Sequence, residues 1–516
     1  MRQGFRQSMA WLHAWSGLVV GWVLFAVFVT GTASYYRSDI SAWMRPELRQ
    51  GVETDAGRAA DLGAAFLTEK MPDAAGWYIE LPKPEDPVIG VYWWKSLDGP
   101  FHDARLDPLT GRPESARATK GGDFLYRFHF ELGMPPLWGR WIVGICAAIM
   151  LVALVSGIVT HRRIFADFFT FRRNRSAQRG WLDAHNVAGV LALPFHLMIA
   201  YTGLVTLAPM YMPWGVQAAY PDGALTFFTE AGLATPMAAP AGRPGTLMPL
   251  APMVAQARAR IPETPEGLGV QNPGDAAARV VVFFEEPKGL AHLHPQVAFD
   301  GGTGAVAGTA GTALPVTHAS TAFVGLHEAH FAGPALRALF FLCGVLGTAT
   351  VATGLVLWSV ARLPKAGERA GFGLRLVRAL NVGTVAGMPV GLAAYFLANR
   401  LLPLDLAERA AWEMRAFFAA WLLVALAALL RPHAAAWREG LWFAALLFLA
   451  IPVVDALTLG EAVLAEGARF LGFDAAMIVV GLVLAFAAGR AGRRVSAPRA
   501  SGGARRIGPG EEALRA

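Results

Sequence analysis

The sequence predicts a polytopic α-helical membrane protein with about eight transmembrane helices. Its first part is a tandem duplication of helix, external α+β domain and helix, and a C-terminal four-helix membrane bundle follows. Three observations carry this. Only 16% of the 516 residues are charged and the mean hydropathy is +0.40, whereas soluble domains carry about 25% charge. Eight runs approach the ~20 apolar residues that a bilayer-crossing helix needs: 12–34, 138–160, 185–208, 335–358, 379–398, 414–431, 438–456 and 471–489. Finally, His13-x3-Gly17-x12-Thr30-Gly31 recurs without a gap as His185-x3-Gly189-x12-Thr202-Gly203. The next helices match too, Arg140-x5-Cys146-x10-Gly157-x3-His161 against Arg337-x5-Cys343-x10-Gly354-x3-Trp358. A repeat of this length marks a duplicated structural unit.

Taken in order, residues 1–35 hold the first span. A short basic leader, Arg2 to Arg6, precedes it and no small-residue cleavage site follows, so it is expected to stay as an anchor. Residues 36–137 are expected to form the first external domain. Its strand-like runs are Trp77-Tyr-Ile-Glu-Leu81 and Val88-Ile-Gly-Val-Tyr-Trp-Trp94. Residues 138–210 hold spans two and three. Residues 211–334 form the second external domain, with strand-like runs Arg279-Val-Val-Val-Phe-Phe284 and Gln296-Val-Ala-Phe-Asp300. Ala234 to Pro265, rich in Pro, Ala and Gly, is expected to be partly extended. Each domain ends a strand with a related turn, Asp107-Pro-Leu-Thr110-Gly111 and Asp300-Gly-Gly-Thr303-Gly304. Asp satisfies local backbone groups there and Gly supplies positive φ. Residues 335–362 hold span four. Residues 363–489 are an added bundle with no repeat match and no histidine inside a span, and 490–516 a basic, disordered tail.

Basic residues set the orientation. Arg162, Arg163, Arg172, Arg173, Arg175 and Arg179 follow span two; Arg362, Lys365, Arg369, Arg375 and Arg378 follow span four; Arg490, Arg493 and Arg494 end the last. Threading eight spans puts all of them on one side with the N-terminus. The opposite short loops carry Asp405, Glu408, Glu413, Glu461 and Glu466. Both termini are therefore expected in the cytoplasm, and the net charge of +7 is a positive-inside signal rather than a nucleic-acid footprint. Two cysteines in 516 residues exclude a disulfide framework. Cys146 and Cys343 read as small buried hydrophobes.

Polar groups in a membrane span are costly, so an ionisable one there points to function. His13 and His185 stand at the cytoplasmic ends of spans one and three, and His161 ends span two on that side. His196 lies mid-span. A straight helix would place it on the His185 face, ~16 Å further on. His129 and His327 precede spans two and four on the external side. Zinc and copper favour several ligands close together. Single histidines on separate helices, with Gly17 and Gly21 on the His13 face and Gly189 on the His185 face, suit a haem lying flat against small residues. The two-level arrangement resembles di-haem membrane cytochromes. Arg162 and Arg163 inside, and Arg140 and Arg337 outside, are candidates to pair with haem propionates.

Five runs carry a family resemblance. They are Trp11-Leu-His-Ala-Trp15-Ser-Gly17, Gly157-Ile-Val-Thr-His161-Arg-Arg-Ile-Phe-Ala-Asp-Phe-Phe-Thr-Phe171, Leu182-Asp-Ala-His185-Asn, Leu191-Ala-Leu-Pro-Phe-His196-Leu-Met and Gly325-Leu-His327-Glu-Ala-His330-Phe331. Over about residues 8–360 the chain resembles the PepSY-associated transmembrane proteins. The resemblance implies an iron-regulated protein of the Gram-negative inner membrane with two periplasmic PepSY-like domains. It also implies two b-type haems and reduction of a ferric siderophore or other ferric chelate, releasing Fe(II). Two of His13, His161 and His185 are then expected to hold the cytoplasmic-side haem. His196 with His327 or His129 is expected to hold the outer one, His330 being less favoured. No catalytic side chain is assigned, because the redox chemistry is the cofactor's. No Gly-x-Gly-x-x-Gly follows a strand to open a soluble helix, so the donor is expected to be a separate cytoplasmic protein or a quinol. The chelate is expected between the external domains, with Trp77, Trp93 and Trp94 either lining the cleft or filling the core. The competing functions are a regulatory or scaffolding PepSY protein and an iron-chelate permease. The last four spans lack the broken, charge-bearing helix pair of many transporters.

Overall fold

A computed structural model describes residues 4–48, 54–84, 86–96, 99–161, 176–221, 223–311, 314–363, 371–460 and 468–493. Arg162, Arg163, Arg172, Arg173, Arg175, Lys365, Arg369 and Arg494, on which the orientation largely rests, lie outside them, as do Glu461, Glu466 and residues 494–516.

Helix α1 (Phe5–Ser34) leads to α2 (Arg37–Trp43), α3 (Ala56–Lys70), strands β1 (Gly76–Glu80), β2 (Ile89–Trp94) and β3 (His102–Leu106), and α4 (Gly122–Glu131). The chain returns through α5 (Pro136–Thr160) and comes back through α6 (Ala177–Leu191) and α7 (Leu193–Thr206). Short helices α8 (Ala208–Tyr211), α9 (Trp214–Ala219) and α10 (Ala224–Glu230) precede α11 (Ala251–Arg258). Strands β4 (Pro265–Gln271), β5 (Arg279–Phe284), β6 (Gln296–Asp300) and β7 (Val306–Ala310) follow, then α12 (Pro315–Glu328) and α13 (Pro334–Val360). The remainder is α14 (Phe372–Val385), α15 (Gly387–Leu401), α16 (Arg409–Leu430), α17 (His433–Leu459) and α18 (Ala468–Arg493). Proline in the first turn opens α5, α12 and α13, where its missing N–H costs nothing.

Among the described residues seven helical stretches are long and apolar enough to cross a bilayer, α14 and α15 counting as one. α6 and α7 together, bent by 67° at Ala192, are apolar enough for an eighth if the pair is one span. The straight third span expected from the sequence is thus broken. Pro194 lies in the first turn of α7, and a proline in mid-span disrupts the preceding turn. The eleven-residue spacing therefore no longer puts His185 and His196 on one face. α1 begins eight residues before His13 and α6 eight before His185, so both histidines lie deeper than a first turn.

The two external segments are joined rather than separate. Their strands form one sheet of order β3-β2-β1-β4-β5-β6-β7, every neighbouring pair antiparallel. β1 pairs with β4 from Gly76 opposite Gln271 to Glu80 opposite Gly267. Each segment alone would leave that strand as an open edge, and pairing the two closes both. One apolar core, including Leu67, Ile79 and Val91 from the first segment and Val254, Leu268 and Phe299 from the second, lies beneath α3 and α11. The Asp61 carboxylate caps α11 by accepting from the Leu250 and Ala251 N–H groups. Both predicted turns form alike. Asp107 accepts from the Thr110 N–H and hydroxyl, Asp300 from those of Thr303, and Gly111 and Gly304 take φ of 69° and 72°.

The C-terminal bundle is tied to the rest by a buried polar belt. Arg400 pairs with Asp455 and donates to the Trp43 carbonyl at 2.7 Å. Asn399 donates to the Met44 carbonyl, Arg117 to the Asn399 carbonyl, and Tyr395 to the Gly121 carbonyl. Glu413 collects bonds from Arg409, Asn399 and Thr119. Removing one member of a buried ion pair strands the other charge. Asp455→Ala is therefore expected to destabilise the protein by about 3–5 kcal/mol. Asp405→Ala, at an exposed position, should change little. Thermal unfolding in detergent checks both.

Candidate functional site

The duplication brings equivalent histidines together in pairs. His13 on α1 faces His185 on α6, with ring centroids 6.1 Å apart and planes at 62°. The His13 Nδ1 bonds the Ala153 carbonyl of α5 at 2.8 Å, and the His185 Nδ1 bonds the Thr350 carbonyl of α13 at 2.9 Å. Ala153 and Thr350 follow Arg140 and Arg337 by the same interval, so the bonds are repeat copies. Each ring lies against a repeat-equivalent glycine. A Cβ on Gly157 would sit 3.0 Å from His13, and one on Gly354 3.1 Å from His185.

The pattern recurs nearer the sheet. His129 on α4 faces His327 on α12 at 6.0 Å, with planes at 31°. The His129 Nδ1 bonds the Val27 carbonyl at 2.8 Å. His327 bonds the Ile199 backbone, and its Nδ1 also lies 3.2 Å from the Thr202 hydroxyl. Val27 and Ile199 are again repeat equivalents, as are Gly31 and Gly203, against which these rings pack. Val27 stands fourteen residues after His13, so the two levels are separated by roughly 21 Å of helical rise. In His13, His129 and His185 a main-chain carbonyl engages Nδ1, and in His327 the Thr202 hydroxyl lies beside it; a carbonyl there places the proton on Nδ1 and leaves Nε2 as a lone-pair donor.

This geometry changes two expectations. His196 does not meet His129 or His327. It is buried against Phe28, and its Nε2 lies 3.4 Å from the Cys343 carbonyl. The bend at Ala192 turns α7 away from the line that the sequence spacing assumed. His161 caps α5 beside His13 and His185 without forming the ring pair itself. Among the basic candidates, Arg140 is engaged by Glu131 at 2.7 Å, and the Arg337 guanidinium lies 5.0 Å from the centre of the Tyr36 ring. Arg162 and Arg163 lie outside the described residues. Trp77 is in the sheet core, Trp93 stacks on His102 and Trp94 packs against Phe101. None of the three lines the cavity described next.

A cavity of about 800 Å³ runs from apolar walls at Val143, Met150 and Ala200, past His129 and His327, to a charged mouth under the sheet. The mouth includes Arg37, Arg105 and Arg337 as well as Glu266, Glu286, Glu328, His294 and His330. Sequence reasoning passed over His292, His294 and their glutamates, because Glu286 shares their loop but Glu266 stands on β4 and Glu328 ends α12. The His292-x-His294 spacing was the available signal. Burial opposes the charged form of Glu286, but adjacent His292 and His330 outweigh it and hold its pKa at about 2. The neighbouring Glu286 and Glu266 carboxylates raise His292 and His294 above the usual imidazole range.

Comparison with known proteins agrees with this architecture. The profile of the family described as the PepSY-associated TM region matches residues 10–361. An uncharacterised protein of Pseudomonas aeruginosa is 28% identical over 331 residues, which span 60% of this chain and 80% of that protein.

The glycine contacts give a direct test. A methyl group on Gly31 would lie 2.5 Å from the His129 Nδ1, whereas one on Gly17 meets nothing within 4 Å. Gly31→Ala should destabilise by about 1–3 kcal/mol through overpacking. Gly17→Ala should be neutral or stabilising by up to about 1 kcal/mol. Thermal unfolding of the two variants against the parent measures the contrast.

Proposed function

Because the chain belongs to the PepSY-associated transmembrane family, we propose that it is a b-type haem protein of the bacterial inner membrane. It passes electrons across the bilayer to reduce a ferric chelate, a ferric siderophore foremost, on the sheet-bearing side, and Fe(II) is released there. The observation that carries this is the state of four imidazoles. Three have Nδ1 engaged by a main-chain carbonyl, the fourth, His327, bonds the Ile199 backbone with Nδ1 beside the Thr202 hydroxyl, and they stand as two facing pairs.

The donor set suits haem. Two imidazoles facing each other with Nε2 free can share one metal centre between them. The observed separations are 6.1 and 6.0 Å. His13 with His185 would hold one haem and His129 with His327 the other. Bound b-type haem supplies one-electron transfer between ferric and ferrous iron.

The chain's own groups do the rest. The carbonyl bonds to Nδ1 hold His13, His129 and His185 in orientation and raise the basicity of Nε2, and the Ile199 backbone and Thr202 hydroxyl hold His327. Gly31, Gly157, Gly203 and Gly354 let neighbouring backbones approach the rings. Apolar walls at Val143, Met150 and Ala200 keep water from the inner cavity. Arg37, Arg105 and Arg337 at the mouth offer cationic donors to an anionic chelate. Hard oxygen donors hold Fe(II) far less tightly than Fe(III), so reduction loosens the metal from its carrier.

Purified protein should contain two haems per chain by pyridine haemochrome assay and show a reduced α-band of the b type. His185→Ala and His327→Ala should each remove one haem, while His196→Leu keeps both. A colourless parent protein, or a full complement in all three variants, rejects the assignment. Direction is read in anaerobic right-side-out vesicles with reduced haem. An added membrane-impermeant ferric siderophore should reoxidise it and deliver Fe(II) to an external trap. Reoxidation only from the cytoplasmic face reverses the proposed flow.

A further inference from the structure

At the cavity mouth, three histidines and two glutamates from two separate stretches of chain converge. Glu286 follows β5, His292 and His294 precede β6, and Glu328 and His330 end α12 and its cap. Two overlapping groups, Glu286 with His292 and His294, and His292 with Glu328 and His330, each offer ligand atoms within 4.8 Å of one another. The two share His292, whose ring centre lies 5.0 Å from that of His294 and 5.9 Å from that of His330.

Ion pairing accounts for only part of this packing. The His292 Nδ1 touches the Glu286 carboxylate, and the His294 Nδ1 lies 2.8 Å from Glu266. Yet both ring nitrogens are buried and neither is aligned for a hydrogen bond. The His292 Nδ1 also lies 3.6 Å from Glu328, and the His330 Nε2 lies 3.5 Å from the same carboxylate. The His330 Nδ1 does bond the Glu286 carboxylate, at 3.1 Å, but two of the three imidazoles are drawn to carboxylates without alignment for proton sharing, which suits a common central cation. With bonds of about 2.1 Å, such a cation places neighbouring ligands ~3–4 Å apart.

We infer that Glu286, His292, His294, Glu328 and His330 form a binding site for a divalent first-row transition-metal ion. Mixed imidazole and carboxylate donors suit Fe(II) and Zn(II), whereas Ca(II) and Mg(II) prefer oxygen alone. The site is separate from the four histidines below it, and it stands whether or not the protein is a reductase. One consequence rests on the reductase reading: Fe(II) freed in the cavity would meet these ligands on its way out, and the site would serve as its first acceptor.

The test uses full-length, tag-free protein in detergent, stripped with chelator and titrated with Co(II) as a spectroscopic probe and Zn(II) by calorimetry. One equivalent should bind with micromolar or tighter affinity. The His292→Ala/His294→Ala/His330→Ala variant should bind at least 100-fold more weakly, with an unchanged haem spectrum. Intact haem with lost metal binding in the variant separates this site from the redox reading; a parent protein that binds the metal but holds no haem would overturn the redox reading alone. Absence of binding below about 100 μM in the parent overturns the proposal, and so does equal affinity in the variant. If that variant does not fold, Zn(II) protection of the parent against diethylpyrocarbonate decides by peptide mass spectrometry. Protection of His292, His294 and His330 supports the site, and equal modification with and without Zn(II) rejects it.

Discussion

Hydrocarbon offers no hydrogen-bond partner, and a polar group carried into it must find one within the protein. That constraint arranges the membrane half of this chain. His13 reaches α5 and His185 reaches α13 for main-chain carbonyls. Asn381 on α14 donates to the Leu355 carbonyl and accepts from the Trp22 indole. Arg400 and Asp455 answer each other between α15 and α17. Each bond crosses from one helix to another, so satisfying the polar groups also fixes which helices are neighbours. The same bonds prepare the imidazoles. A ring whose Nδ1 is already engaged has one free lone pair, aimed away from the helix that holds it.

Duplication turns this local rule into a paired site. A single unit would present one histidine at each level, unfaced by another. Two units related by approximate twofold symmetry set His13 against His185 and His129 against His327. The same symmetry acts outside the membrane, where β1 lies antiparallel to β4 and three strands from one unit extend into four from the other. Edge closure and histidine pairing are thus two outcomes of one association. The cavity lies between the units, walled by helices from both and roofed by groups near the sheet.

The bundle of α14 to α18 has no part in either histidine pair. It packs on α1, α2 and α4, burying Trp43 against Phe473 at a centroid distance of 4.2 Å. Its polar belt grips the segments around Met44 and Thr119 that join membrane helices to the sheet. A rigid mount there fixes the entry and exit of the first external segment, and with them the position of α4 and His129.

The sequence by itself determined the membrane class, a set of seven or eight helices apolar enough to cross a bilayer, the duplication and the family. It also held the two Asp-Thr-Gly turns and the equivalent positions of His13 and His185 in the two repeats. These are properties of local composition and of offsets along one chain: apolar run length, the fixed spacing from His13 to Gly31, and the turn chemistry of Asp107 and Asp300. Which histidine faces which was decided by tertiary structure. The choice of His196 for the outer pair assumed a straight helix from His185, and the bend at Ala192 removed that premise. The two external segments read as two domains because nothing local shows that β1 and β4 share an edge. The cluster at Glu286, His292 and His330 was equally hidden, because its members come from a strand end, a loop and a helix end. Contacts between segments far apart in the chain depend on how the units dock, and only the packed structure specifies that.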